Sequence, residues 1–399
     1  MIKQIDSIKI HLLIIISVKI ILMNILYFLT YGYNLKTWHD TGQLFREIKH
    51  FEKLHKEDNN LNFVIFSYGD ESDSKFINKD FIKIVPIYKY KKVYKWKVVN
   101  LINSLFYKKL LKTIGITDSK LIIQNQLLGC WIPILIKKKL KIPLIIRTGY
   151  DMYEFSILEK KSTTKKLFFK YLTYIGLRFS DIYTVTSNCD KQFLINNFSY
   201  KFNSKIKIRP NWVNTQERTF DESNISKFNK KIVTVGRIEK QKNYEMIIRA
   251  LEETEYELDI YGEGSLKKNI EQLAKNLNVK VNFFGIVNNE ELFIKLRKYT
   301  YYISSSTFEG NPKSVLEAMS AGCVVIASKI KNHLEFLNNQ NSILFENNIN
   351  SLNEVLISLE RNKEKNIYLI ANAHKTVKEN YTLQKLVNNE LEDIKRLVT

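Results

Sequence analysis

The chain has 399 residues and a formal charge of +21, with 45% hydrophobic residues and only 13 Gly and 5 Pro. That length allows two or three domains with their own cores, and the apolar content excludes a disordered chain. Three scattered Cys and six His without ligand spacing suggest neither a disulfide framework nor a zinc site, which suits a reducing cytosol.

Ile8 to Leu29 is mostly apolar, but Lys9, His11, Lys19 and Asn24 interrupt it, leaving too little for a span of about 20 residues. Residues 1–22 read as an N-terminal extension or a weak membrane segment, without the small-residue cleavage site of a signal peptide. From Met23 onward strands at 23–29, 61–67, 120–124, 143–148 and 182–186 alternate with helical stretches at 40–56, 96–112, 129–139, 164–178 and 188–197. Such βα alternation implies a parallel sheet.

Two loops of this half would end at one edge of a cleft. Gly32, Tyr33, His39, Asp40 and Gly42 follow the first strand, and Arg147, Thr148, Gly149, Tyr150 and Asp151 follow the fourth. Gly32, His39, Arg147 and Asp151 are the candidates there for holding an acceptor or a reacting sugar, although a surface histidine is the plainer reading of His39.

The positive charge does not point to nucleic acid. Lys far outnumbers Arg and is abundant together with Ile and Asn, as in a chain of biased composition with a solvated lysine surface. Cations and aromatics do interleave at Lys89 to Lys97, around Phe106, Tyr107, Lys108 and Lys109, and from Lys160 to Tyr171 with Phe168 and Phe169. Such patches suit an anionic membrane surface.

After a polar stretch from Asn214 to Asn229, strands at 231–235, 256–261, 279–284, 300–304, 323–327 and 342–345 alternate with helices at 242–253, 265–277, 288–298 and 312–321. Helices at 350–360, 365–379 and 383–398 close the chain. The fold class is therefore α/β, two Rossmann-like domains facing a central cleft.

The second half carries two clusters that suit a phosphorylated sugar ligand. In Lys231 to Tyr244 a buried-type strand runs into Gly236, then Arg237, Lys240 and Lys242, then a helix from about Asn243. A glycine lets backbone approach a ligand, a guanidinium offers a planar fork to phosphate oxygens, and a lysine adds a mobile charge. In Ser305 to Ser328 a strand end, a loop, a helix with Pro312 at a first position and another strand follow in turn. The free N–H groups of Asn311, Pro312's neighbour Lys313 and Ser314 would face the crevice, where an anion is stabilised by unpaired donors and the helix dipole. Glu309 precedes that helix and Glu317 lies in its second turn, so both can border one pocket and accept from sugar hydroxyls. From the spacing alone, an amphipathic surface helix with solvated Glu is an equally good reading.

Val235-Gly236-Arg237 with Lys242-Asn243, then Glu309 and Glu317 with seven residues between them, resembles the carboxyl half of the group 1 (family 4) retaining glycosyltransferases. Pro210-Asn211, Tyr261-Gly262-Glu263-Gly264 and Phe284-Gly285 fall in the same family's order. Two positions depart from it: Asn311-Pro312 stands where Phe-Gly is usual, and Trp212 replaces the usual Gly after Pro-Asn.

The resemblance implies a GT-B fold. It divides the chain into an amino-terminal acceptor domain (23–213), a linker (214–229), a donor domain (230–382) and a last helix (383–399) that crosses back. By the same resemblance Arg237 and Lys242 bind the donor diphosphate, Glu309 contacts the transferred sugar and Glu317 holds the ribose. Gly236 and the Asn311 to Ser314 helix end complete the phosphate side, while Gly264, Ser265 and Gly285 to Asn288 wall the base.

The expected activity is transfer of a sugar, with retention, from a nucleoside-diphosphate donor to a hydroxyl of a saccharide or lipid-linked acceptor, as in bacterial surface polysaccharide synthesis. The expected place is the cytoplasm, peripheral at the inner face of the plasma membrane. No metal and no cofactor is required. A nucleotide-sugar epimerase or phosphorylase of the same fold, and a non-enzymatic basic membrane or nucleic-acid binder, remain the alternatives.

Overall fold

The computed structural model describes residues 23–106, 118–215, 230–359 and 363–398. The 1–22 extension, the 216–229 part of the linker, and Tyr107, Lys108 and Lys109 of one basic patch lie outside the described residues.

Seven parallel strands form the first sheet: β1 (Met23–Phe28), β2 (Leu61–Ser67), β3 (Ile82–Pro86), β4 (Ser119–Asn125), β5 (Leu144–Arg147), β6 (Ile182–Val185) and β7 (Ile206–Ile208). Their order is β3-β2-β1-β4-β5-β6-β7. β1 reads Met-Asn-Ile-Leu-Tyr-Phe without polar alternation because helices cover both faces of a parallel sheet, and its last four residues are buried. Its register pairs Ile25 with Phe63 on one side and with Leu121 on the other.

The second sheet is also all parallel: β8 (Lys231–Val235), β9 (Glu257–Tyr261), β10 (Val281–Gly285), β11 (Tyr301–Ser304), β12 (Val324–Ser328) and β13 (Ile343–Phe345), in the order β10-β9-β8-β11-β12-β13. In both sheets the order reverses beside the first strand, between β1 and β4 and between β8 and β11. Ligand crevices in open α/β sheets form outside the carboxyl ends of strands at such switch points.

Two strands and the short helices Leu35–Asp40, Ile87–Tyr90 and Met152–Leu158 go beyond the sequence reading. β3 and β7 are sheet edges, short and broken by lysines and a terminal Pro86, so they lack the apolar run of the inner strands. Met152–Leu158 is a helix where a loop was expected, because the Asp151 side chain accepts from Glu154 N and starts it.

The final helix, Leu383–Val398, packs Val387, Leu391 and Ile394 into the core of the first sheet. Chain from the far side of the second sheet thus finishes the first. The units also touch directly. Phe155 meets Phe308 edge to face at 5.3 Å, and the Glu335 carboxylate accepts from the N–H groups of Asn188 (2.8 Å) and Cys189 (2.5 Å) at the start of the Asn188–Asn197 helix.

Candidate active site

Loops after β4, β5 and β6 in one sheet and after β8, β9, β10 and β11 in the other line a single cavity of about 690 Å³. It opens between the two sheets.

On the second sheet, β8 ends in Gly236 (φ 153°) and β9 in Gly262 (φ 149°). A Cβ on Gly262 would stand 1.9 Å from Gly236 O, and one on Gly236 would stand 3.0 Å from Lys242 Cε, so only glycine permits these two turns to pack backbone on backbone. Gly236 N donates to Tyr261 O (3.0 Å), and Tyr244 OH donates to Gly236 O (3.0 Å). This close turn delivers Arg237 to the cavity, exposed, its carbonyl accepting from Glu239 N (2.8 Å) and its guanidinium without a hydrogen bond or ion pair among the described residues.

Lys242, expected as a mobile charge for the diphosphate, donates through Nζ to Glu309 Oε1 at 2.6 Å. Ser306 Oγ donates to the same oxygen (2.6 Å), and Gln241 Nε2 donates to Glu309 Oε2 (3.3 Å) and to Phe308 O (2.8 Å). Glu309 is only 8% exposed, and a carboxylate so buried requires these partners. Lone pairs of Oε2 remain for a hydroxyl.

The helix after β11 runs Lys313–Ala321 with Pro312 as the cap itself (φ −70°, ψ 104°) rather than as the first helical residue. Among the described residues no side chain caps it, and Val315 N and Leu316 N already donate to Pro312 O, so the N–H groups of Lys313 and Ser314 are the first-turn donors left for the cavity that both residues line. Glu317 pairs with Lys313 Nζ at 3.2 Å, and Lys313 also donates to Asn289 Oδ1 at 3.0 Å. Burial lowers the Lys313 pKa below that of an ordinary lysine, against the pull of Glu317.

The opposite wall is ionic. Arg147 Nη1 donates to Tyr27 OH (3.0 Å), and the guanidinium lies 3.7 Å from Glu47 Oε2 and 3.6 Å from Glu390 Oε1. Glu390 comes from the final helix. Burial would raise its pKa, but the charges of His50 (2.5 Å) and Arg147 overcome this and hold it at about 2. Arg209, another lining residue, pairs with Asp393 of the same helix.

The cavity thus gathers Arg147, Gly236, Arg237, Lys242, Gly285, Glu309, Asn311, Pro312, Lys313, Ser314 and Glu317. Gly32, His39, Asp151 and Gly264 stand outside it. His39 is a surface residue 3.2 Å from Asp40, and Gly264 packs on Ile238 backbone, with 2.4 Å between its Cβ position and Ile238 O. Asp151 is fully buried as a helix cap and accepts from Thr173 Oγ1 at 3.1 Å, so it faces the interior and not the cleft. Residues that sequence reasoning missed include Arg46, Glu47, Gln241 and Glu390. Nothing local marks them, since each reaches the cavity through helix phase or a return of the chain.

Residues 215–376 match the family model described as Glycosyl transferases group 1. The N-acetylgalactosamine-N,N'-diacetylbacillosaminyl-diphospho-undecaprenol 4-alpha-N-acetylgalactosaminyltransferase of Campylobacter jejuni is 29% identical over 183 residues, 44% of this chain and 49% of that protein. The match therefore spans about half of that relative's length. An uncharacterized glycosyltransferase of Methanocaldococcus jannaschii is 26% identical over 329 residues, 79% of this chain and 84% of that protein. Among solved structures, sucrose-phosphate synthase from Thermosynechococcus elongatus superposes with a TM-score of 0.77 at 15% identity, over 94% of this chain and 99% of that one. Anabaena HepE in complex with UDP and glucose gives 0.72 at 15% identity, over 94% and 100%. The architecture is the GT-B fold. The matched family model and the names of both relatives are those of glycosyltransferases.

Beneath the loops after β5 and β6 lie three carboxyls whose pKa values burial raises: Asp151 to about 6, Asp190 to about 7, and Glu154 to about 8, the last also through the charges of Asp190 and Asp151. Facing Glu154 from the other unit is Lys331, which pulls its pKa back down. An acid with a raised folded-state pKa is still protonated in the folded protein when the unfolded chain has released its proton. Stability therefore falls as pH rises from about 4 towards about 8. Asp190→Asn keeps an oxygen for Thr186 and removes one of the three charges, so its melting temperature should decline less than wild type between pH 5 and pH 8. An unchanged decline in a thermal scan series would contradict this reading.

Proposed function

We propose that this chain is a nucleotide-sugar-dependent, retaining glycosyltransferase that passes a sugar to a hydroxyl of a lipid-linked saccharide in bacterial surface polysaccharide synthesis. The observation that carries the proposal is that one cavity gathers the Arg237 guanidinium and a helix start, unpaired and uncapped among the described residues, with the two carboxylates Glu309 and Glu317. Cationic and dipolar groups there would bind a diphosphate and neutralise its charge as it leaves, which is electrostatic catalysis. Lys242, already on Glu309, would bridge that carboxylate to the diphosphate.

In this reading the sugar C1–O bond to the donor phosphate breaks as the acceptor oxygen bonds to C1 on the same face. The acceptor proton passes to the departing phosphate oxygen. Glu309 holds a sugar hydroxyl and Glu317 the ribose. Arg237→Ala should lower kcat/KM for the donor by roughly 10²-fold, consistent with losing a charge-assisted contact where charge develops. Glu317→Ala should mainly raise the donor KM and Glu309→Ala should mainly lower kcat. Unchanged donor kinetics in Arg237→Ala would refute the diphosphate assignment.

Support for a lipid-linked acceptor is twofold. The Campylobacter relative is named for a diphospho-undecaprenol substrate. The first unit also exposes Tyr94, Trp96 (76%), Ile102, Phe106, Phe168 and Tyr171 among its lysines. No helix among the described residues is long and apolar enough to cross a membrane. The proposed site of action is the cytoplasmic membrane face, reached by these patches, each nearby cation contributing about 1 kcal/mol. Full-length protein should sediment with anionic vesicles at low salt, release at high salt, and bind less as Trp96→Ala/Phe168→Ala. Sedimentation indifferent to lipid charge, salt and both substitutions would contradict this.

A further inference from the structure

At Asn311 the chain departs from the group 1 pattern, and the structure gives that residue an unusual set of partners. Asn311 is 8% exposed and lines the cavity two residues beyond Glu309. Both of its oxygens are taken by one neighbour. Asn211 N donates to Asn311 Oδ1 at 2.9 Å, and Asn211 Nδ2 donates to Asn311 O at 2.7 Å. A backbone N–H can only donate, so the atom it meets must be the amide oxygen, and Nδ2 has to point the other way.

Asn211 is itself held from the first unit. Arg46, on the Gln43–Glu57 helix, donates through Nη2 to Asn211 Oδ1 (3.3 Å) and to Trp212 O (3.3 Å), with its guanidinium 5.1 Å from the Trp212 ring centre. The second departure, Trp212, thus serves the first by fixing the arginine that fixes Asn211. Across the cavity a Cβ on Gly310 would stand 3.0 Å from Gly149 O, so the loop after β11 closes tightly on the loop after β5 and leaves little room for it to shift. Asn311 Nδ2 has no partner among the described residues, and the open space beside it is the cavity next to Glu309.

We infer that the Asn311 side-chain amide is a specificity-determining donor that reads one oxygen of the transferred sugar, a hydroxyl or an acetamido carbonyl, with Asn211 and Arg46 as positioning residues. This rests on the donor reading above and refines it. A sugar without that oxygen would leave a nearly buried donor unpaired, and a site built to make a hydrogen bond rejects such an analogue strongly.

Calorimetry on the full chain tests it, with UDP and GDP as bare nucleotides, UDP-glucose, UDP-N-acetylglucosamine and GDP-mannose as intact donors, and monodeoxy or deacetylated versions of whichever donor binds. Only backbone N–H groups of the Asn311 to Ser314 helix end were assigned to the phosphates, and alanine keeps them, so Asn311→Ala and Asn211→Ala should bind the bare nucleotide as wild type does, which also shows that they fold, yet bind the intact donor roughly 10- to 100-fold more weakly. One analogue should weaken binding to wild type and cause no further loss in Asn311→Ala. That pattern, with the removed group a hydroxyl or an acetyl, names the oxygen. Equal weakening of nucleotide and donor would make Asn311 a mere shaper of the loop and overturn the inference, as would no weakening of either or analogue penalties that persist in the variant. Wild type binding none of these nucleotides would bring down the donor reading itself, and this inference with it.

Discussion

Burying the Glu309 carboxylate is the constraint on which the donor side of this molecule depends. A charge that far from water costs several kcal/mol unless it is paired and hydrogen-bonded. Lys242, Ser306 and Gln241 supply the compensation. Because Lys242 and Gln241 belong to the turn after β8 and Glu309 to the loop after β11, meeting the demand of one carboxylate locks two loops together. Those loops are neighbours only because β8 and β11 lie side by side at the switch point of the sheet. The glycines of the β8 and β9 turns let the backbones close up behind this pair, and of the cluster's two exposed cations, Arg237 and Lys240, Arg237 lines the cavity.

The same logic joins the two halves. The first unit cannot complete its polar wall from its own residues: Arg147 and His50 need Glu390, and Arg209 needs Asp393, both from the final helix. Apolar packing of Val387, Leu391 and Ile394 secures that helix, so burial and ion pairing hold the same element. Glu335 on the Asn188–Asn197 helix start and Asn311 on Asn211 add contacts on either side of the cleft. A groove bounded this way suits a ligand that must touch both units, as a donor and an acceptor together would.

Much of this was legible in the sequence, and for identifiable reasons. Inner parallel strands such as β1 and β8 are continuous apolar runs, and the Lys313–Ala321 helix announces itself by Pro312 and by the phase of Val315, Leu316 and Met319, all buried. Arg237, Lys242 and Glu309 lie in the loops that follow β8 and β11, Glu317 in the helix that follows β11, and all four line the cavity. What escaped was decided by tertiary placement. Asp151 reads as a polar residue at a cleft edge, yet a helix start consumed it. Gly32 and His39 follow β1, but the chain turns away before it reaches the cavity, which Gly42 and Arg46 touch instead. Glu390 looks like any solvated residue of an amphipathic helix until that helix crosses to the other unit. Lys242 reads as a mobile charge for the diphosphate, and only the folded neighbourhood reveals its pairing with Glu309.

The central claim is that the turn after β8 and the helix start after β11 form one diphosphate site. Hydrogen–deuterium exchange read by mass spectrometry, with and without a saturating nucleoside diphosphate, tests it without needing the acceptor or the sugar. Slower exchange should appear together in peptides covering 235–244 and 305–318, because the ligand would take the N–H groups of Lys313 and Ser314 and tighten the turn that carries Arg237. Protection confined to other segments, or none at a concentration where binding is saturated, would contradict the account.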